Sequence, residues 1–323
     1  MTELINNAYN AINQEIICTP LVSCNTIPGL EQLDLYLKLE NKQETGSFKY
    51  RGVLSKLAQM KKDGICTQHL VVSSTGNHAA ALIHASGQNR CNIILFVPKT
   101  ISESKLEHLR SFDAILKIEG ENSAETELLA QQYANENSLP FIHPYNDEHI
   151  IAGQGTIGIE LIKQLPGLDA VFIPVGGGGL ISGIASYLKQ INSSIKIVGC
   201  QPELAPEMAL SVIKGEIVPP FNRATLADGV AGGLDPDTIT LSICRSLVDE
   251  FVLLSEEEIK HAVYLFYHHM QMIAEPAALL SVAAVIKKRD LFRGKKLVAI
   301  ISGKRISEYL FQQIIKDYES DNQ

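Results

Sequence analysis

The chain has 323 residues, 46% of them hydrophobic, and a formal net charge of −8 at pH 7. That length supports two domains and a sizeable core, and the acidic balance excludes nucleic acid and anionic membrane surfaces as general partners. No apolar run reaches the roughly 18 residues that span a bilayer, and the polar N-terminus lacks the pattern of a signal peptide, so a cytoplasmic protein is expected.

From the N-terminus onward, strand-like and helix-like patterns alternate. Strands are predicted at Leu35–Glu40, Leu70–Ser73, Ile93–Val97, Ala114–Ile118, Val171–Val175, Lys196–Cys200, Phe251–Leu254 and Leu297–Ser302, with helical patterns between most of them. Such alternation predicts an α/β fold of parallel or mostly parallel sheets flanked by helices. Cys18, Cys24, Cys66, Cys91, Cys200 and Cys244 form no CxxC pair and read as reduced core thiols.

Three segments carry chemistry. In Thr45-Gly46-Ser47-Phe48-Lys49-Tyr50-Arg51-Gly52, Lys49 stands at a predicted helix start. Alone, such a lysine is ordinarily a solvated charge; desolvated, with a lowered pKa, it forms a Schiff base with an aldehyde. Val71–Ser73 leads through Ser74-Thr75-Gly76-Asn77-His78 into an Ala-rich helix. The hydroxyls of Ser74 and Thr75 and the free N–H groups there suit a carboxylate, or simply cap the helix.

The third segment, Gly176-Gly177-Gly178-Gly179, follows the apolar run Ala170–Val175 and precedes the amphipathic segment Leu180–Gln190. Glycines let an anion approach backbone N–H groups, and the next helix adds free donors and a positive dipole end. The loop reads as a phosphate cradle without a basic side chain, with a mobile glycine turn as the alternative. It lacks both the Lys-Ser/Thr ending of a P-loop and GxGxxG spacing. A phosphate-bearing aldehyde that pairs with lysine is pyridoxal phosphate.

With these motifs in place, the chain resembles the fold-type-II pyridoxal-phosphate enzymes, near the serine/threonine dehydratases and serine racemases. Ser47–Gly52 is similar to the family's lysine motif, and Ser74–His78 to its S.GNH motif. His143-Pro144, Ile151–Thr156, Gly176–Gly179, Ala227-Asp228-Gly229-Val230 and Glu275-Pro276 follow in family order. The resemblance runs from about Pro20 to Leu310. It implies a large cofactor-binding domain, 1–68 and 147–323, with a small domain, 69–146, inserted, and a homodimer or other homo-oligomer.

The resemblance also implies roles. Lys49 and Thr75 are the candidate catalytic residues. Phe48, Lys49, Asn77, Gly176, Gly177, Gly178, Gly179 and Ser302 would hold the cofactor, with Ser302 at its pyridine nitrogen. Ser74, Thr75, Gly76, Asn77, His78, Asp228, Gly229 and Glu275 would line the substrate site. The expected reaction is elimination of water from a β-hydroxy amino acid such as L-threonine or L-serine, giving a 2-keto acid and ammonia. A neutral Ser302 makes the ring a weaker electron sink, which favours prompt loss of the hydroxyl. The alternatives are a serine-type racemase and a non-catalytic cofactor-binding protein.

Several positions depart from the family pattern. Lys304 and Arg305 stand where the family usually has Gly and Asn, and are expected to point outward, as long cations do. Racemases carry Ser where this chain has Thr75, so Thr75 is expected to bind rather than to transfer protons. Thr126 stands where related racemases place an arginine. Racemase-like members also hold Mg2+ or another divalent cation; here the corresponding donors are Ala205 and Glu207, with neutral Gln201 in place of a carboxylate, which weakens the site.

Overall fold

The computed structural model describes residues 1–24, 26–65, 68–89, 91–221 and 223–321. Strands are β1 (Leu21–Ser23), β2 (Asp34–Lys38), β3 (His69–Ser73), β4 (Asn92–Val97), β5 (Ala114–Ile118), β6 (Ala170–Pro174), β7 (Lys196–Pro202), β8 (Glu250–Leu254) and β9 (Lys296–Ile300). Among the described residues they form two sheets, ordered β1-β2-β9-β6-β7-β8 and β3-β4-β5. Every pairing is parallel except β1 with β2. The fold is the α/β architecture of mostly parallel sheets expected, and β1 is an addition to the predicted strands.

Both sheets are covered on both faces, as continuous apolar strands require. In β6, Ala170 and Phe172 join one core cluster while Val171 and Ile173 join another. In β4, Ile93, Leu95 and Val97 face one cluster and Ile94 and Phe96 the opposite one. Phe141 makes a parallel bridge to Val71, so the chain returns along the edge of the small sheet before entering the Glu148–Gln164 helix.

That helix sets the distance between two of the chemical motifs. It packs on one side against Lys49–Lys62 and on the other against Gly179–Ile191. The approach is close: a Cβ at Gly153 would lie 2.4 Å from the Arg51 carbonyl oxygen, and one at Gly183 would lie 2.3 Å from that of Ile151. The glycines of the IAGQGT segment therefore serve helix packing. Behind the Lys49 helix, Arg51 is fully buried and pairs with Glu40 and Glu160, while Lys38 pairs with Glu160. Removing one partner would strand a buried charge, which typically costs about 3–5 kcal/mol, so this network anchors the first turn of the helix.

Of the cysteines, Cys24, Cys200 and Cys244 are buried, but Cys18 is exposed and so is no core thiol; Cys66 lies outside the described residues. No described helix is long and apolar enough to cross a membrane.

Candidate active site

Lys49 is the first residue of its helix, and its position is set from three sides. The Phe48 N–H donates to the Ser302 carbonyl at 3.1 Å, and Ser47 bridges Gly303, so the lysine loop is stitched to the end of β9. Its Nζ donates to the Pro144 carbonyl at 2.8 Å and stands 5.2 Å from the Phe48 ring centroid. Burial pushes the amine down to about 8, against the opposing charges of Glu127 and Glu275. A lysine near 8 is an available nucleophile and proton acceptor close to neutral pH.

The glycine loop is built to exclude side chains. Gly178 has φ +83°, the left-handed region, and a Cβ at Gly177 would lie 2.3 Å from the Tyr145 ring. Val230 closes on Gly176, Met208 and Thr240 on Gly178, and Tyr145 again on Gly179. The Thr240 hydroxyl donates to the Gly177 carbonyl at 2.7 Å. No side chain caps the Gly179–Ile191 helix, so its first N–H groups remain available to an anion.

The second strand-turn-helix segment has a different character. Ser74, Thr75, Gly76 and Asn77 are all half-buried, and a Cβ at Gly76 would meet nothing within 4 Å. Ser74 Oγ accepts from the Gly76 N–H at 3.2 Å; among the described residues the Thr75 hydroxyl has no hydrogen-bond partner. Asn77 Nδ2 donates to both Glu275 oxygens, at 2.8 and 3.1 Å, and Asn77 Oδ1 is buried without a partner among the described residues. His78 turns away: its Nε2 donates to the Ile142 carbonyl at 3.0 Å. Burial and the Lys49 charge push this ring down to about 3, so it is neutral.

Glu275 packs between Asn77 and Gly303. A Cβ at Gly303 would lie 2.1 Å from its carboxylate. Burial and the Asp228 charge raise Glu275 to about 7, against the Asn77 hydrogen bond and the Arg305 and Lys105 charges. Asp228 itself is exposed and paired with Lys105, which carries the small-sheet side of the molecule across to the Asp228–Val230 turn. Gly229 is exposed beside Ala277, and Ser302 is buried. Lys304 points outward as expected, its stem lying over Gly46, whereas Arg305 is half-buried and its charge reaches Glu275.

At the cation site weighed at Ala205 and Glu207, the Gln201 side chain of β7 reaches across to the donors. Gln201 Nε2 donates to the Ala205 carbonyl at 3.3 Å, and Gln201 Oε1 accepts from the Ala209 N–H at 2.8 Å. Glu207 Oε1 accepts from the Phe221 N–H at 3.0 Å. The Ala205 carbonyl and one Glu207 oxygen are thus each engaged by an N–H group of the protein itself.

Sequence reasoning missed Glu127 and Asp235, and named His143 only within a motif. Their donor atoms lie within 4.8 Å of one another. This spacing suits a metal, but His143 Nδ1 accepts from the Tyr145 and Asn146 N–H groups, so Nε2 carries the ring proton and offers no lone pair. Thr126, the position singled out beside Glu127, is fully buried and donates to the Glu119 and Asn122 carbonyls instead. The signal for Glu127 was one residue away, on the neighbouring face of the same helix.

The site thus joins a low-pKa lysine, a side-chain-free anion cradle, and an orphaned amide oxygen in one cleft. These features define a lysine-dependent α/β protein whose residues fit a phosphorylated aldehyde. A family model described as pyridoxal-phosphate dependent enzyme matches residues 12–303. The chain belongs to that family, and pyridoxal phosphate is its cofactor. An L-threonine ammonia-lyase of Thermotoga maritima is 35% identical over 313 residues, covering 97% of this chain and 77% of that protein. The processed form of threonine deaminase isoform 2 from Solanum lycopersicum superposes with a TM-score of 0.88 at 30% identity, covering 97% of this chain and 87% of its own. Maize serine racemase gives the same TM-score at 27% identity, covering 100% and 99%.

Proposed function

We propose that this protein is an ammonia-lyase that removes water from a β-hydroxy amino acid, L-threonine or L-serine, to give an enamine, which a water then hydrolyses to a 2-keto acid and ammonia. The observation that carries the reading is Lys49: one amine, brought down to about 8 by burial, held by the Pro144 carbonyl beside the end of β9. The relatives named for threonine deamination support the substrate class.

Gly176–Gly179 and the following helix N-terminus would hold the phosphate, and Asn77 and Ser302 the ring's oxygen and nitrogen. Pyridoxal phosphate, when bound, supplies an aldehyde for amines and a conjugated system that takes up the electron pair left by the α-proton. Lys49 removes that proton once the substrate amine has taken its place. Ser74, Thr75 and the Gly76 and Asn77 N–H groups bind the substrate carboxylate. Ser302 offers a neutral hydroxyl, which keeps charge from persisting on the ring and favours loss of the β-hydroxyl over slow proton return. Residues 69–146 act as the small domain carrying the carboxylate arm; residues 1–68 and 147–323 act as the large one. A cytoplasmic homo-oligomer is the assembly proposed.

The test is an assay of L-threonine, L-serine and bulkier 3-hydroxy amino acids for keto acid, ammonia and enantiomer, with Lys49→Ala alongside. Keto acid and ammonia from the native protein and at least a roughly 1,000-fold loss in Lys49→Ala are expected, the scale of removing an essential proton carrier. Inverted amino acid without keto acid would replace the lyase reading by the racemase one.

A further inference from the structure

The carbonyl that holds Lys49 is aimed by residues that do not touch it. Pro144 lacks an N–H and has a fixed φ, so the direction of its carbonyl depends on how the chain continues. The Tyr145 and Asn146 N–H groups both donate to His143 Nδ1, at 3.2 and 2.9 Å, and fold residues 143–146 into a turn. Both bonds require Nδ1 to be unprotonated, which leaves the single ring proton on Nε2. That proton is shared by Asp235 Oδ2 at 3.1 Å and Glu127 Oε1 at 3.3 Å. Asp235 also accepts from Asn146 Nδ2 at 3.0 Å, and its N–H donates to the Tyr145 hydroxyl at 2.7 Å. The ring of His143 and the side chains of Tyr145 and Asn146 therefore all converge on Asp235. Glu127 belongs to the Ser123–Glu136 helix beside the small sheet, and Asp235 to the loop before the Thr240–Leu247 helix.

We propose that Glu127, His143 and Asp235 are a positioning unit: they fix the His143–Asn146 turn so that the Pro144 carbonyl holds the Lys49 amine in its reactive place. The unit rests on the reading of Lys49 as the proton carrier. It has a physical purpose, because a lysine side chain has several rotatable bonds and large rotamer freedom. One fixed acceptor removes most of that freedom, and a misplacement of about 1 Å at a reacting group costs roughly 100-fold in rate. Two carboxylates fix the ring more firmly than one. They come from separate elements, a helix beside the small sheet and the loop before Thr240–Leu247, so the turn is set only when both are in place.

The test uses the holoenzyme and three variants, His143→Leu, His143→Asn and Asp235→Ala. Hydrogen exchange at the Tyr145 and Asn146 amides reports the turn, the visible dichroism of the bound cofactor reports the geometry at Lys49, and L-threonine turnover reports function. In the native protein both amides should be protected. His143→Leu should speed their exchange and lower kcat by at least about tenfold with KM changed less than about twofold, and the cofactor dichroism should fall. His143→Asn, whose side-chain oxygen can accept the same N–H groups, should recover all three; Asp235→Ala should lose part of each. Unprotected amides in the native protein would overturn the proposal, as would His143→Leu with freed amides and unchanged kcat and dichroism. Should the native protein turn over no β-hydroxy amino acid, the reaction assigned to it fails, while exchange and dichroism still decide the positioning unit.

Discussion

The two strand-turn-helix arms of the cleft are built on one local plan and finished in opposite ways. The glycine arm is closed: Tyr145, Val230, Met208 and Thr240 press on its four glycines, and Thr240 pins one carbonyl. The Ser74–Asn77 arm is open: its residues are half-buried and, among the described residues, nothing lies within 4 Å of a Cβ at Gly76 and the Thr75 hydroxyl is unbonded. A group that stays bound through many turnovers calls for a preformed rigid cradle, whereas a substrate that enters and leaves calls for donors kept free. The difference matches the roles proposed for the two arms, cofactor-holding and substrate-holding, although both present backbone N–H groups at a helix start.

The largest expected effect breaks the closed arm. Gly177→Ala drives a Cβ into the Tyr145 ring, which cannot swing aside because its hydroxyl is held by the Asp235 N–H. Stability should fall by about 1–3 kcal/mol, the usual range for overpacking, and cofactor affinity by about 100-fold. Gly76→Ala should stay within about 0.5 kcal/mol, as an open surface position does. Thermal melts and cofactor titration of the two variants measure the contrast, and equal losses would erase it.

A smaller effect sharpens the role of the open arm. Thr75→Ala should raise KM for L-threonine by about tenfold, the value of one hydrogen bond to a charged group, with kcat within about threefold. Thr75→Ser, free of the extra methyl and its stiff χ1, should increase racemisation relative to elimination. Deuterium at the α-carbon of recovered D- and L-substrate in heavy water reads this directly. Rapid exchange into the opposite enantiomer by the native protein, abolished in Thr75→Ala, would make Thr75 a working acid.

The smallest effect lies where the open arm meets Glu275. Its carboxyl is raised in the folded state from 4.5 to about 7, so the folded protein binds this proton more tightly than the unfolded chain. The stability it contributes is therefore full below pH 4.5 and declines as pH rises to about 7. Glu275→Gln should flatten that decline, visible as a melting temperature a few degrees less sensitive to pH between about 5 and 7. A decline as steep as the native protein's would assign the pH dependence to other groups.

Much of this was legible in the chain because the signals are local. β6 and β9 are apolar runs, Lys49 stands among small and aromatic residues, and four glycines in succession admit few other uses. β1 escaped notice because three residues carry no periodicity. Ala205 and Glu207 show where local reading stops: the donor pattern is in the sequence, but the contact of the Gln201 amide with the Ala205 carbonyl is a rotamer choice.

The sequence by itself determined the α/β alternation, the tetraglycine loop ahead of one helix and the lysine at the start of another, since backbone sterics and hydrophobic periodicity act over a few neighbouring residues. Tertiary structure alone decided the company Lys49 keeps. Glu127, His143 and Asp235 come from a helix, a turn and a loop, and Glu275 reaches Asn77 across 198 positions of chain. A carboxylate has no sequence signature for the imidazole or amide it will meet. Its partner, its charge and its effect on the lysine are set only when two sheets fold around one cleft and water is removed from between them.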